Sequence, residues 1–417
     1  MGVWITSTWS CGFHYRNLAE KIRVEDENMK NRSLLMIPGP IEFDPAVLAA
    51  LGAPTTGHLA PTFMEAFGQA LERTRTLFQC AKGQPFVLAG TGTLGMDTVC
   101  ANLVAPGDNA LVINTGYFGD RMGTILERYG AKATHIRSAP GAHPTLADVE
   151  AALKTAAFKV MTITHVDTST GVLTDVKGLA DLGRRYGALV IVDGVCSVAG
   201  EDLNMDAWGV DAAFTASQKA VGVPPGLALL VVSSRGMEAF KTRKTPVLSY
   251  YSDWSNWLPV MEAYEARKPA YFGTPAVNLI FALNVSLGQI LQEGLDARFA
   301  RHIRMSRAVK AGITALGLGQ VPQNEEIAAH TMTAPRYPSG VSGSDLIPAI
   351  GKAGVTLAGG LHAEIRNEYF RIGHMGAVTQ GDVLATLGAI ETGLAVCGYK
   401  FESGVGTAAA VKFLAAG

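Results

Sequence analysis

The chain has 417 residues, of which 48% are hydrophobic and 17% charged, with a formal net charge of -1. That balance is globular, with no sign of disorder. No run of Lys or Arg is long enough for a nucleic-acid face, and no apolar stretch approaches the roughly 18 residues of a membrane span. A soluble protein of two or three domains is expected, with neither nucleic-acid nor membrane partners.

Five cysteines (Cys11, Cys80, Cys100, Cys196 and Cys397) are scattered without CxxC spacing. This argues against a disulfide framework and a zinc site, and fits a reducing compartment. The nine histidines form no HExxH pair, so no metal is expected.

Residues 1–33 read as an N-terminal extension. They carry Trp4, Trp9 and Cys11 and then Glu25, Asp26 and Glu27, with no clear period. Met1-Gly2 with Thr6 fits the loose myristoylation pattern, and the stretch is too acidic and Arg-poor for a mitochondrial presequence. An untemplated arm, or an upstream start with Met29 as the usual first residue, describes it better. An arm at 34–54 follows.

From about Leu34 the chain alternates strand-like and helix-like segments. Residues 85–88 are strand-like and precede Ala89-Gly90-Thr91-Gly92-Thr93 and a helical run from Leu94. Residues 109–114 are strand-like, and 119–129 are helical and closed by Gly130. Residues 159–164 are strand-like, 175–186 helical and closed by Gly187, and 188–192 a strand ending at Asp193. Residues 227–232 read as a buried parallel strand. Alternation of this kind indicates an α/β fold, a mostly parallel sheet covered by helices. A long charged helical pattern at 293–310 marks a change of texture. The expected division is a large α/β domain at 55–297 and a smaller α+β domain at 298–417.

In an open parallel sheet, ligands bind beyond the carboxyl ends of the strands. Three strand ends stand out. Residues 89–93 combine glycines with a helix N-terminus, a cradle suited to phosphate as well as an ordinary strand–helix turn. Asp193 ends an apolar strand, where a carboxylate is costly without a partner. It reads either as a turn-capping Asp or as a carboxylate that keeps a heterocyclic nitrogen protonated. Lys219, in Thr215-Ala216-Ser217-Gln218-Lys219, follows an apolar strand and precedes a Gly/Pro loop. It reads either as a solvated surface residue or, if desolvated, as an imine-forming amine.

Together with Thr164-His165-Val166-Asp167-Thr168-Ser169-Thr170-Gly171, Tyr271-Phe272-Gly273-Thr274-Pro275 and Arg371-Ile372-Gly373-His374-Met375-Gly376, this ordered set resembles fold type I pyridoxal-5'-phosphate enzymes. More closely, it resembles the class V aminotransferases of the alanine–glyoxylate type, nearest the fungal form. The resemblance covers about residues 34–400. It implies that Lys219 carries the cofactor as a Schiff base and moves the α-proton, while Asp193 pairs with the pyridinium nitrogen. Phe118 would stack on the cofactor ring, Thr91, Gly92, Thr93 and Gln218 would hold its phosphate, and Thr168 would bond the ring's hydroxyl side. Tyr271 and Thr274 would reach the phosphate of a neighbouring subunit, making a homodimer with shared active sites. Arg371 would clamp the α-carboxylate of an amino-acid or 2-oxo-acid substrate.

The implied reaction transfers the amino group of L-alanine to glyoxylate. Serine–pyruvate or serine–glyoxylate transamination is the alternative, and a desulfurase or lyase on the same fold is a further one. Ile37-Pro38-Gly39-Pro40 and Gly57-His58 match the family's arm and early loop near the substrate entrance. His165 is expected to position or to pack rather than to act as the base. Ala415-Ala416-Gly417 is not a peroxisomal signal of the Ser-Lys-Leu type, so cytosol is the expected compartment, with mitochondrion and peroxisome left open.

Overall fold

The computed structural model describes residues 33–416. The extension before Ser33, with its Met1-Gly2 pattern, Cys11 and Met29, lies outside the described residues.

Seven strands form the central sheet: β1 (Gln84–Gly90), β2 (Asn109–Asn114), β3 (Lys132–Arg137), β4 (Val160–Thr164), β5 (Leu189–Asp193), β6 (Ala212–Ala216) and β7 (Gly226–Val232). Their spatial order is β1-β7-β6-β5-β4-β2-β3. Every residue of β4, β5 and β6 is buried, which explains their unbroken apolar character. Strands β3, β2, β4, β5 and β6 pair in parallel, so their carboxyl ends, including Asp193 and Ala216, share one edge.

The expectation of a parallel strand at 227–232 is corrected by the structure: β7 runs antiparallel to both β1 and β6. The physical reason is the connection. A parallel crossover needs a dozen or more residues, and only residues 217–225 join β6 to β7. A strand buried on both faces has the same apolar composition in either direction, so composition carried no signal here.

The helical pattern at 293–310 is met by the helix Leu295–Ala315, which starts two residues later. Val277–Glu293 and Leu295–Ala315 are separate helices that meet at Gly294 (φ 84°, ψ 139°). Leu295–Ala315 packs into a second hydrophobic core with Phe370, Ile372, Leu387 and Ile390, distinct from the core around the large sheet. In this second region, Phe370–Gly373 lies between Met332–Thr333 and Ala358–Gly359, antiparallel to both. Among the described residues no helix is long and apolar enough to cross a membrane.

The segment after Ser33 joins the two cores. Leu34–Leu35 pairs in parallel with Val355–Thr356. At the next residue, the Gly373 amide donates to the Met36 carbonyl (2.7 Å). The chain then crosses to the edge of the large sheet at Pro38-Gly39, and helix Pro45–Leu51 docks by Asn278 donating to the Leu51 carbonyl (2.9 Å).

Candidate active site

Lys219 and Asp193 stand at adjacent strand ends because β5 and β6 are neighbours in the sheet. The Asp193 carboxylate accepts from the Val195 amide (2.9 Å), and the Gly194 amide donates to the Phe214 carbonyl of β6 (2.9 Å). Asp193 is only 4% exposed, and no ion pair among the described residues engages it. Burial pushes its carboxyl up to about 7. A buried carboxylate in that condition gains most from a cation delivered by something other than the chain.

The turn carrying Lys219 is closed on Ser217, whose hydroxyl donates to the Pro224 carbonyl (2.8 Å) and whose carbonyl accepts from the Val223 amide (2.9 Å). Lys219 is 8% exposed and donates to the Pro38 carbonyl. Burial lowers its pKa, and the neighbouring positive charge of Arg371 lowers it further, against the opposing pull of Cys196 and Asp193. Gly39, at φ 115°, makes the close approach of the arm possible: a Cβ there would stand 2.6 Å from Lys219 Cδ. Beside Lys219, the side-chain oxygen of Gln218 is buried without a partner.

Thr91 is the N-cap of helix Gly92–Leu103 and makes no side-chain capping bond; its carbonyl takes the Leu94 amide (2.9 Å), which leaves the Gly92 and Thr93 amides to face an anion. Thr93 accepts from Arg121 Nη1 (3.0 Å). The Arg121 guanidinium also lies 5.0 Å from the ring centres of both Tyr117 and Phe118. Phe118 is half-buried, and its amide donates to Asp167 Oδ2 (3.2 Å). Asp167 is fully buried and also accepts from the Ser169 amide (2.8 Å) and hydroxyl (2.6 Å). Gly116 allows this docking, since a Cβ there would meet Ser169 Oγ at 2.3 Å.

Thr168, 4% exposed, presents its carbonyl to Arg371 Nη1 (3.3 Å), while Arg371 Nε donates to the Gly359 carbonyl (2.8 Å). The guanidinium is thus aimed by two backbone carbonyls and keeps donors in reserve. Cys196, 1% exposed on the turn after Asp193, sits 3.8 Å from Thr331 Oγ1.

The side chains of Tyr271 and His165 turn to other neighbours. Tyr271 is 63% exposed, with its ring 5.4 Å from that of His58 and its hydroxyl 3.5 Å from Thr274 Oγ1. His165 is buried, and its ring meets Trp208 edge-on at 6.3 Å. Burial lowers the His165 imidazole to about 4. Sequence reasoning passed over Asp167, Arg121 and Tyr369, all of which tie the site together. Asp167 lay inside a motif already singled out, but its role depends on a contact with residue 118 that spacing does not reveal.

A model of the class V aminotransferase family matches residues 48–383. The chain is 41% identical over 362 residues to alanine–glyoxylate aminotransferase 1 of Saccharomyces cerevisiae, covering 83% of this chain and 93% of that protein. Among solved structures it superposes on the ureidoglycine–glyoxylate aminotransferase of Bacillus subtilis with a TM-score of 0.86 at 29% identity, covering 91% of this chain and 97% of that one. An alanine–glyoxylate aminotransferase from Nostoc sp. gives a TM-score of 0.82 at 32% identity, covering 87% and 95%. The chain belongs to the class V aminotransferases, fold type I enzymes that use pyridoxal 5'-phosphate.

Proposed function

We propose that this aminotransferase moves the amino group of L-alanine to glyoxylate, giving pyruvate and glycine in two half-reactions that share one active site. The donor and acceptor are those in the names of the yeast and Nostoc relatives. The observation that carries the reading is the convergence of Lys219, Asp193 and Arg371: the charges of Asp193 and Arg371 both act on the buried Lys219 amine.

When bound, pyridoxal phosphate supplies a carbonyl that condenses with amines and a ring that withdraws electrons from the α-carbon. Asp193 would face the ring nitrogen and keep it protonated, Phe118 would cover one face of the ring, and Thr168 would bond its hydroxyl side. The Gly92 and Thr93 amides, the hydroxyls of Thr91 and Thr93 and the amide of Gln218 would hold the cofactor's phosphate.

Lys219, with its pKa lowered by burial, is the amine that anchors the cofactor and afterwards moves a proton between the substrate's α-carbon and the cofactor. Arg371 binds the α-carboxylate and thereby fixes which α-substituent faces Lys219. Tyr271 and Thr274 complete the phosphate site of a second copy of the chain. Their exposure, together with that of Leu248 (63%) and Tyr250 (79%), supports an interface there.

A visible absorption spectrum of the purified protein tests the reading. The cofactor band is expected to disappear with L-alanine, to return with glyoxylate and to be altered in Lys219→Ala. A band that ignores L-alanine and responds to L-serine would reassign the donor. A protein that takes up no cofactor on incubation with pyridoxal phosphate would refute the proposal.

A further inference from the structure

Arg371 is held by more than its own two hydrogen bonds. Tyr369 precedes it by two residues, so both side chains leave the same face of the strand, while Phe370 and Ile372 point into the second hydrophobic core. Tyr369 is fully buried. Its hydroxyl donates to the Ser169 carbonyl and accepts from the amides of Leu361 (2.9 Å) and His362 (3.0 Å). A phenol has one proton and two acceptor positions, and all three are used.

The two segments joined by Tyr369 are the same two joined by Arg371. The guanidinium spans Gly359 and the Thr168 carbonyl. The phenol spans Leu361-His362 and the Ser169 carbonyl. Residues 168–169, on the cofactor side, are thereby bridged to residues 359–362 by two parallel links, one charged and one neutral. An arginine that binds a carboxylate must divide its five donors between the protein and the ligand. Without the phenol, the guanidinium would be the sole bridge among these contacts, and presenting its free edge to a ligand would strain it.

We infer that Tyr369 is a positioning residue for substrate binding: its hydroxyl clamps residues 359–362 to residues 168–169, so that Arg371 meets the substrate carboxylate already oriented. The inference rests on the carboxylate role proposed above for Arg371. It concerns affinity for the carboxylate and leaves the cofactor contacts of Lys219, Asp193 and the helix N-terminus untouched.

The test is a spectral titration of the holoenzyme with 2-aminoisobutyrate, which has an amino group and a carboxylate but no α-proton to lose. Tyr369→Phe, which removes all three hydrogen bonds of the phenol, is expected to raise its Kd about tenfold, the share of that loss (roughly one hydrogen bond) that falls on ligand binding, and to change the Kd for pyridoxal phosphate by less than about twofold. KM for L-alanine should rise by a similar factor with kcat nearly unchanged. In an Arg371→Lys background, Tyr369→Phe should add less than about a twofold effect, because the two residues act as a unit.

An unchanged Kd for 2-aminoisobutyrate in Tyr369→Phe, or equal factors in both backgrounds, overturns the inference. If the variant does not fold, amide exchange on the wild-type holoenzyme decides. Saturating 2-aminoisobutyrate should slow exchange at Leu361 and His362 several-fold, and no change there overturns it equally. A wild-type band that ignores both 2-aminoisobutyrate and L-alanine would overturn this inference together with the proposed function. Normal binding by wild type with an indifferent Tyr369→Phe overturns this inference alone.

Discussion

Substitution of Asp193 by Asn isolates the electrostatic state of the site. In the apoprotein the Asp193 carboxyl is pushed up to about 7 by burial and by the nearby charge of Asp167, while the Val195 amide, Lys219 and Arg121 pull it down. The folded protein therefore binds this proton more tightly than the unfolded chain, whose carboxyl titrates near 3.9. Stability from the protonated form is fully present below the unfolded value and is lost as pH rises through about 7. The shift corresponds to about 4 kcal/mol in all, and roughly 2–3 kcal/mol of that loss falls between pH 5 and pH 8. Asn is uncharged at every pH and should remove this component.

Urea denaturation of the cofactor-free protein at several pH values, wild type against Asp193→Asn, reads the difference directly. The variant should gain on wild type by about 2–3 kcal/mol from pH 5 to pH 8. With cofactor bound, the proposed pairing of its ring cation with the carboxylate should make the advantage vanish or reverse. Parallel stability–pH curves for the two apoproteins would refute the argument that Asp193 is a buried carboxylate awaiting a cation.

Gly39→Ala places a methyl group 2.6 Å from Lys219 Cδ at a backbone φ of 115°. It should destabilise the protein by about 1–3 kcal/mol and weaken cofactor retention, both measured by thermal melts with and without pyridoxal phosphate; an unaffected melt in both states would refute the close-approach argument. His165→Asn should keep kcat within about threefold of wild type while costing about 1–3 kcal/mol of stability, because the imidazole packs on Trp208 and is held neutral by burial. A loss of kcat by a factor of about a hundred, with the fold intact, would restore His165 as an acid–base group.

Local sequence pattern was enough to set the alternation of strands and helices, and with it the class of fold. Burial on both faces makes strands such as β4 and β5 uniformly apolar, and a one-faced helix keeps its own period, so these elements are local in origin. The same local logic placed Asp193 and Lys219 at strand ends and Thr91 at the start of a helix, because turn residues and charges interrupt apolar runs there.

Tertiary structure decided what those residues touch. The direction of β7 followed from the short connection at 217–225 and from its two neighbours, since its composition suits either direction. Asp167 reaches the amide of Phe118 and Tyr369 reaches Ser169, 200 residues away in sequence, because the fold brings their segments into register. The Pro38 carbonyl reaches Lys219 only because the arm crosses between two cores, and Gly39 leaves room for it. Such contacts depend on three-dimensional packing over long sequence separations, and a pattern of period 2 or 3.6 carries no record of them.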